Sequence, residues 1–231
     1  MLMQTSFQAA AATCPSPERS RVAPARAGIA ALVDQMDLMG ARMSFTRNAE
    51  IYGENEPADY VYKVVSGAVR TYKIFDDGRR QIGGFYFPGE AFGLELGEEH
   101  EFSAEAIDNS VILVVKRSAL VALADREPDM ARKLWSFTAS ELQRVQKRML
   151  LLVKSAEERV AYFLLEMAGR LQSAETVDLP MSRQDIADYL GLTIETVSRT
   201  LTQLETKAAI ALPKSRRVVL RNPKALNKLD S

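Results

Sequence analysis

Hydrogen-bonding side chains follow a helical spacing near the C-terminal end of the sequence. Glu195, Ser198 and Arg199 stand three and four residues apart, so a helix places them on one face, beside Ile194. A guanidinium there can donate two hydrogen bonds to guanine O6 and N7, a carboxylate can accept one from cytosine N4, and an apolar side chain can contact a thymine methyl group. The pattern predicts a face that reads DNA base edges, with Ser198 as a short, adaptable contact.

The residues around this face are typical of a helix–turn–helix. Ser182 suits the N-cap of a first helix, and Asp185 stands at the capping-box position three residues later. Gly191 suits the C-terminal end of that helix, and Thr193 can cap a second one. The second helix is expected to bury the stripe Val197, Leu201 and Leu204.

A small hairpin with a basic tip is predicted after the second helix. Ile210–Leu212 and Arg217–Leu220 alternate like strands, and residues 213–216 join them as a wing. The polar side chains of this region suit DNA phosphates, which position a protein without reading sequence. The predicted phosphate contacts are Ser182, Arg183, Gln184, Thr193, Thr196, Lys214 and Arg216.

The charge distribution favours the same interpretation. The 231 residues contain 30 basic and 30 acidic side chains, but residues 181–231 carry 9 basic and 5 acidic ones, a net charge of +4. Helix–turn–helix shapes also occur in domains that do not bind DNA, and an arginine on a helix is often simply solvated. The basic wing and the local charge together favour double-stranded DNA as a partner.

A long helix with an apolar seam precedes this region. Apolar residues recur from Ala131 in alternating steps of four and three, which is a heptad-type pattern. The helix could lie on its own β-domain, but the length of the seam favours pairing with a second copy. The predicted dimer interface is Trp135, Thr138, Leu142, Val145, Met149 and Leu152.

Short strands separated by glycine turns are predicted from about residue 44 to 115. Tyr60–Val65 and Ala68–Ile74 read as strands, and Asp76-Asp77-Gly78 as a hairpin turn. Gly83, Gly84 and Gly89 are interpreted as turn glycines. Closely spaced strands of this kind predict a barrel, roll or sandwich.

The complete pattern predicts an α+β fold in four parts. These are a flexible tail over 1–28, an N-terminal β-roll (a double-stranded, jelly-roll-like barrel) over 29–127, a long dimerisation helix over 128–154 and a C-terminal winged helix–turn–helix over 155–231. A short helix is expected at Ile29–Met36, and an amphipathic one from Ser155 to Leu171.

Several classes of function are disfavoured. Cys14 is the only cysteine and His100 the only histidine, so the chain by itself cannot form a disulfide framework or a metal site of several Cys or His ligands. His100, among glutamates, is expected on the surface. No apolar run is long enough for a membrane span, and no secretory signal or phosphate-binding glycine loop is present, so a cytoplasmic protein that is not an enzyme is expected.

The order of roll, long helix and winged helix–turn–helix resembles the CRP/FNR family of bacterial transcription regulators over residues 29–226. The stretch from Leu179 to Arg199 is very close to FixK-type members. The resemblance implies that Glu195, Ser198 and Arg199 read a TTGA…TCAA palindrome. It also implies activation through contact with RNA polymerase, and control of low-oxygen respiration and nitrogen-fixation genes.

The sequence departs from the ligand-binding branches of the family. Phe102 stands where the cyclic-nucleotide branch has an arginine that pairs with the phosphate, and Glu95, Glu98, Glu99 and Glu101 would repel one. The branch with an iron–sulfur cluster uses four cysteines. Since this chain has only Cys14, we expect no cofactor and a regulator that is active as synthesised. The alternative is a regulator gated by an unidentified small ligand in the β-roll.

Overall fold

The computed structural model describes residues 36–95, 97–173 and 175–230. The tail predicted over 1–28, with Cys14, lies outside these residues. So does the helix predicted at Ile29–Met36, except for Met36, which is buried.

The N-terminal β-domain contains eight strands among the residues described. Two four-stranded antiparallel sheets have the orders β1-β8-β3-β6 and β2-β7-β4-β5. Their apolar residues alternate toward the space between the sheets, as in the predicted roll. The strands are β1 (Ala41–Phe45), β2 (Glu50–Tyr52), β3 (Tyr60–Ser66), β4 (Val69–Ile74), β5 (Arg80–Tyr86), β6 (Ala91–Phe92), β7 (Ser103–Ala106) and β8 (Ser110–Lys116).

The prediction of Gly83 and Gly84 as turn residues was wrong. Both lie inside β5, which pairs with β4 from Arg80 to Tyr86. A side chain at Gly83 would meet the Thr71 hydroxyl at 2.8 Å, so this strand position needs glycine for close packing and not for a turn. Gly89 does lie in a turn, with a φ of 87°.

Two helices follow the β-domain. The first, α1 (Arg117–Arg126), was not predicted, and the second, α2 (Pro128–Leu150), continues into a 3₁₀ turn at Leu151–Val153. Pro128 opens α2, where a missing N–H group costs nothing. Within the described residues no helix has the length and apolar character to cross a bilayer.

The C-terminal part contains the predicted winged helix–turn–helix. A helix, α3, packs behind it, and a three-stranded sheet of order β10-β11-β9 forms the wing. The last helix, α6, was not predicted. The elements are α3 (Ala156–Arg170), β9 (Thr176–Asp178), α4 (Arg183–Leu190), α5 (Ile194–Thr206), β10 (Ile210–Lys214), β11 (Arg217–Leu220) and α6 (Pro223–Asp230).

One hydrophobic core runs from the β-domain into the helix–turn–helix. Phe85 of β5 lies 6.3 Å from Phe163 of α3 and 5.1 Å from Tyr189 of α4, measured between ring centroids. All three side chains are buried and belong to a single apolar cluster. Because separating the two parts would expose these rings to water, the core fixes α4 against β5.

Candidate nucleic-acid interface

Helix α5 divides its side chains between a core face and an open face. Thr193 caps it by accepting a hydrogen bond from the Thr196 amide at 3.2 Å, as predicted. Val197, Leu201 and Leu204 are buried. The opposite side, which we call the reading surface, contains the exposed Ile194, Glu195 and Arg199 and the half-buried Ser198.

Glu195 is a carboxylate ready to accept hydrogen bonds. Its pKa is held below the ordinary value by hydrogen bonds from its own backbone N–H and from the Thr193 hydroxyl. The group is therefore ionised near neutral pH and is an acceptor only, which is the chemistry that a cytosine amino group requires.

Helix α4 places three of the predicted phosphate contacts at its N-terminus. Ser182 and Asp185 form the predicted capping box, and the Ser182 hydroxyl also donates to the Asp185 carboxylate at 2.8 Å. Gln184 is exposed and donates to Asp188 at 2.6 Å, while Arg183 is half-buried. The hydroxyl of Ser182 is thus committed within the chain, whereas Gln184 faces solvent.

The wing differs slightly from its prediction. Strand β10 extends to Lys214, so the turn is confined to residues 215–216 instead of 213–216. Lys214 and Arg216 are exposed, and Arg216 also donates to the Pro180 carbonyl at 2.9 Å. At the base of the turn Arg217 and Asp178 form two hydrogen bonds of 2.6 and 2.9 Å.

A cluster of ion pairs, which we call the interdomain contact, connects α4 to the β-domain. Asp185, only 2% exposed, accepts from Arg70 at 2.8 Å and from Arg80 at 2.7 Å. Arg80 also pairs with Asp188 at 2.7 Å. Burial alone would raise the pKa of Asp185, but hydrogen bonds from Ser182 and the two guanidinium charges outweigh burial and lower it.

Two further arginines bridge the same boundary. Arg148 of α2 donates to the carbonyls of Ile82 and Gly83 and lies over the Tyr189 ring. Arg170 of α3 pairs with Glu90 at 2.6 Å. Sequence reasoning missed these contacts, because their partners are separated by 65 or more residues and no local pattern marks them.

The outer side of α2 is an uncovered apolar face in the chain as described. Its inner side packs on the β-domain through Met130 and Phe137, which are buried. The residues of the predicted seam are exposed, Trp135 by 77%, and one of them, Val145, also lines a cavity beside the β-domain. The exposed seam residues are Trp135, Thr138, Leu142, Met149, Val145 and Leu152.

A cavity of about 440 Å³ separates the β-domain from α2. Tyr52, Phe92 and Phe102 line it together with Glu95 and Arg148. Its wall is largely aromatic, and two carboxyl side chains also line it, Glu95 from the β-domain and Glu141 from α2.

His100 does not lie on the surface as predicted, since it is 1% exposed. Its ring stacks on Tyr52 with centroids 3.6 Å apart, and its Nδ1 lies 3.3 Å from Glu95. Backbone hydrogen bonds of 2.8 Å to Asn55 and Glu56 fold the loop inward. The prediction failed because the glutamates next to His100 in the sequence are exposed, and His100 was expected to share their exposure.

Comparison with known proteins decides the family. A model described as Crp-like helix-turn-helix domain matches residues 158–229, and one described as cyclic nucleotide-binding domain matches 42–127. The nitrogen fixation regulation protein FixK of Azorhizobium caulinodans is 53% identical over 84% of this chain and 80% of its own length. This chain belongs to the CRP/FNR family.

Further members of the CRP/FNR family agree in sequence and structure. FixK of Rhizobium meliloti is 41% identical over 78% of this chain and 82% of its own. The solved structure of FixK2 from Bradyrhizobium japonicum has a TM-score of 0.81 at 53% identity, over 84% of this chain and 98% of that one. The chain is therefore a DNA-binding transcription regulator of the CRP/FNR family and not an enzyme.

The cavity of this CRP/FNR member does not fit the phosphate of a cyclic nucleotide. Phe102 supplies an apolar ring and Glu95 a negative charge. The one cation on the described wall, Arg148, is already engaged by the carbonyls of Ile82 and Gly83. A phosphate there would lose its hydration without gaining a free donor cation in return.

Proposed function

We propose that the protein binds a TTGA…TCAA palindrome as a homodimer and acts mainly as an activator. The observation that carries this proposal is the reading surface, where Glu195, Ser198 and Arg199 stand on one side of a helix whose other side is fixed in the core. We assign residues 29–127 to the β-roll, 128–154 to the dimerisation helix and 155–231 to DNA binding.

Each residue of the reading surface has a distinct role in this proposal. Arg199 donates two hydrogen bonds to guanine, and Glu195 accepts one from cytosine. Ile194, which is 37% exposed, contacts a thymine methyl group, and Ser198 makes a short adaptable contact. Phosphates flanking these bases are held by Ser182, Arg183, Gln184, Thr193, Thr196, Lys214 and Arg216.

Dimerisation is supported by the apolar outer face of α2. A row of exposed side chains from Trp135 to Leu152 is costly in water, and a second copy of the same helix would cover it with knobs-into-holes packing. A two-fold pair of this kind places two reading surfaces in successive major grooves, about one helical turn apart, which matches an inverted repeat.

The regulator acts without an effector in this proposal. The part of the cavity wall that the structure describes offers no free cation for a cyclic nucleotide, and a single cysteine cannot supply the ligands of an iron–sulfur cluster. The interdomain contact already fixes α4 against the β-domain. Control of nitrogen-fixation genes is supported by the relatives named as nitrogen fixation regulators. Control of low-oxygen respiration, contact with RNA polymerase and action in the cytoplasm belong to the same proposal, as what membership of the CRP/FNR family implies.

A randomised-duplex selection tests this function. Purified protein is incubated with random duplexes at moderate ionic strength, with and without cyclic AMP or cyclic GMP. Recovery of a TTGA…TCAA inverted repeat in both arms is expected. Selection of no inverted repeat in any arm would overturn the proposal.

Dimerisation is tested by placing a charge within the apolar seam. Leu142→Lys and Met149→Lys bury a charge in the interface and are expected to give monomers without operator binding. Ala122→Lys, at an exposed position of α1 outside the seam, is the control for adding one charge. Sedimentation velocity measures the oligomeric state, and a variant that stays dimeric with its seam charged would contradict the interface.

The aromatic cavity favours one alternative, a regulator gated by a small ligand in the β-roll. Its wall suits an uncharged or cationic aromatic compound better than a phosphate, because Tyr52, Phe92 and Phe102 are joined by Glu95. The alternative predicts that purified protein selects no repeat until a cell extract of small molecules is added.

A further inference from the structure

The tip of the β4–β5 hairpin and the helix–turn–helix enclose one groove. Its volume is about 790 Å³. From the hairpin it is lined by Phe75, Gly78 and Arg79, and from the helix–turn–helix by Thr193 and Thr196. Gln184, a third proposed phosphate contact, lines the same groove. An element of the β-domain therefore borders the path proposed for the DNA backbone.

Arg79 brings an available cation to this groove. Its side chain is 81% exposed. Only its Nε is engaged, by Asp77 at 2.7 Å, and the two terminal amino groups make no hydrogen bond among the described residues. Arginine can bind a carboxylate along one edge and still present its other N–H donors to a phosphate.

The other charges of the groove are already compensated. Arg80 pairs with Asp188 at 2.7 Å and with Asp185 at the same distance. Gln184 donates to the remaining oxygen of Asp188 at 2.6 Å. Arg79 is thus the lining cation whose donors are still free to meet an anion.

The hairpin tip is held in place. The Phe75 amide donates to the Arg79 carbonyl at 2.9 Å, and the Gly78 amide donates to the Phe75 carbonyl at 2.8 Å. Gly78 adopts a φ of 81°, which a glycine tolerates without strain. Because Arg80 is anchored to α4, the backbone of the adjacent Arg79 stays beside the helix–turn–helix.

We propose that Arg79 donates to a phosphate of the DNA backbone, so that the β-roll contributes directly to DNA binding. The proposal rests on the proposed function, because it requires DNA phosphates beside Gln184, Thr193 and Thr196. The contact reads no base. It strengthens binding to all duplexes by the same factor and makes binding more sensitive to salt.

The experiment measures affinity for palindromic and random duplexes as a function of salt. Arg79→Ala is compared with Arg132→Ala, which removes another exposed arginine that pairs with a nearby aspartate but lies on α2. The slope of log affinity against log salt is expected to fall by about 0.9 for each lost phosphate contact, thus about 1.8 for a dimer, only in Arg79→Ala. Equal loss on both duplexes is expected.

A gain-of-affinity variant makes the test independent of folding defects. Asp77→Asn removes the carboxylate that competes for Arg79 and is expected to tighten binding to both duplexes. In the Arg79→Ala background the same change is expected to have a smaller effect, because the freed guanidinium is absent.

The outcomes separate this inference from the proposed function. An unchanged salt slope in Arg79→Ala, or an equal change in Arg132→Ala, would overturn the Arg79 contact while wild-type selectivity for the palindrome leaves the proposed function intact. If wild-type protein does not prefer the palindrome but Arg79→Ala still lowers the slope, the contact stands and the proposed sequence specificity fails.

Discussion

Asp185 and Glu195 are both carboxylates in the first turn of a helix, one in each helix of the helix–turn–helix. Both have a lowered pKa and are ionised near neutral pH. Asp185 is buried between Arg70 and Arg80, whereas Glu195 is exposed without a cationic partner among the described residues. The carboxylate of Asp185 thus fixes α4 against the β-domain, whereas the carboxylate of Glu195 is open to accept a hydrogen bond from another molecule.

The difference follows from what surrounds each helix. Helix α4 lies against β5, and Arg80 of β5 and Arg70 of β4 would be costly to bury without an anion. Helix α5 presents its polar side to solvent, and its apolar side supplies the packing. Substitutions in the interdomain contact should therefore change stability, and substitutions on the reading surface should change binding.

The largest effect is expected from Asp185→Ala. Removing the carboxylate leaves Arg80 with Asp188 alone and Arg70 with Glu105 alone, in a largely buried cluster, and also removes half of the capping box. The free energy of unfolding is expected to fall by about 3–5 kcal/mol. Urea denaturation followed by circular dichroism measures this change.

Asp178→Ala is the control for that experiment. Asp178 also pairs with an arginine, Arg217, but both side chains are well exposed. Solvent screens such a pair, so little change in stability is expected. Similar losses for the two variants would show that burial does not distinguish the interdomain contact.

Local sequence patterns sufficed for the elements that carry the reading surface. Ser182, Gly191 and Thr193 act through neighbours only a few residues away, so their capping roles were predictable and are confirmed. The apolar period of α5 likewise identified the buried side and, by exclusion, the open one. Whether the open side contacts bases as assigned stays a prediction.

Interactions between distant parts of the chain escaped prediction. The partners Arg70 and Asp185 are 115 residues apart, and neither has a sequence context that names the other. His100 was misplaced for a similar reason, because its burial depends on a stack with Tyr52 across the roll. Gly83 was read as a turn because its tight packing against Thr71 is a tertiary requirement.

An intermediate effect is expected from Arg199→Ala, this time on binding. Loss of a two-bond contact to guanine should cost about 1–3 kcal/mol on the palindrome and relax selectivity at one base pair, with little change on random DNA. Arg221→Ala removes an equally charged, exposed arginine outside α5 and is the matched control. Equal losses on palindromic and random duplexes would contradict a base-reading role. A fall in the free energy of unfolding would show that Arg199, like Asp185, stabilises the fold.

The smallest of the three effects is expected from protonating Asp185, because the carboxyl group stays in place and only its charge is lost. Its pKa is lower in the folded protein than in the unfolded chain, where it is about 3.9. The ionised group therefore stabilises the fold fully above that value, and this contribution is lost as the pH falls through the lower, folded pKa. Unfolding measured from about pH 7 to pH 3 should show wild type more stable than Asp185→Asn by a constant margin above about pH 5, and the margin should shrink below about pH 4. A margin that persists undiminished at the acid end would mean that the hydrogen bonds of Asp185, and not its charge, hold α4 against the roll.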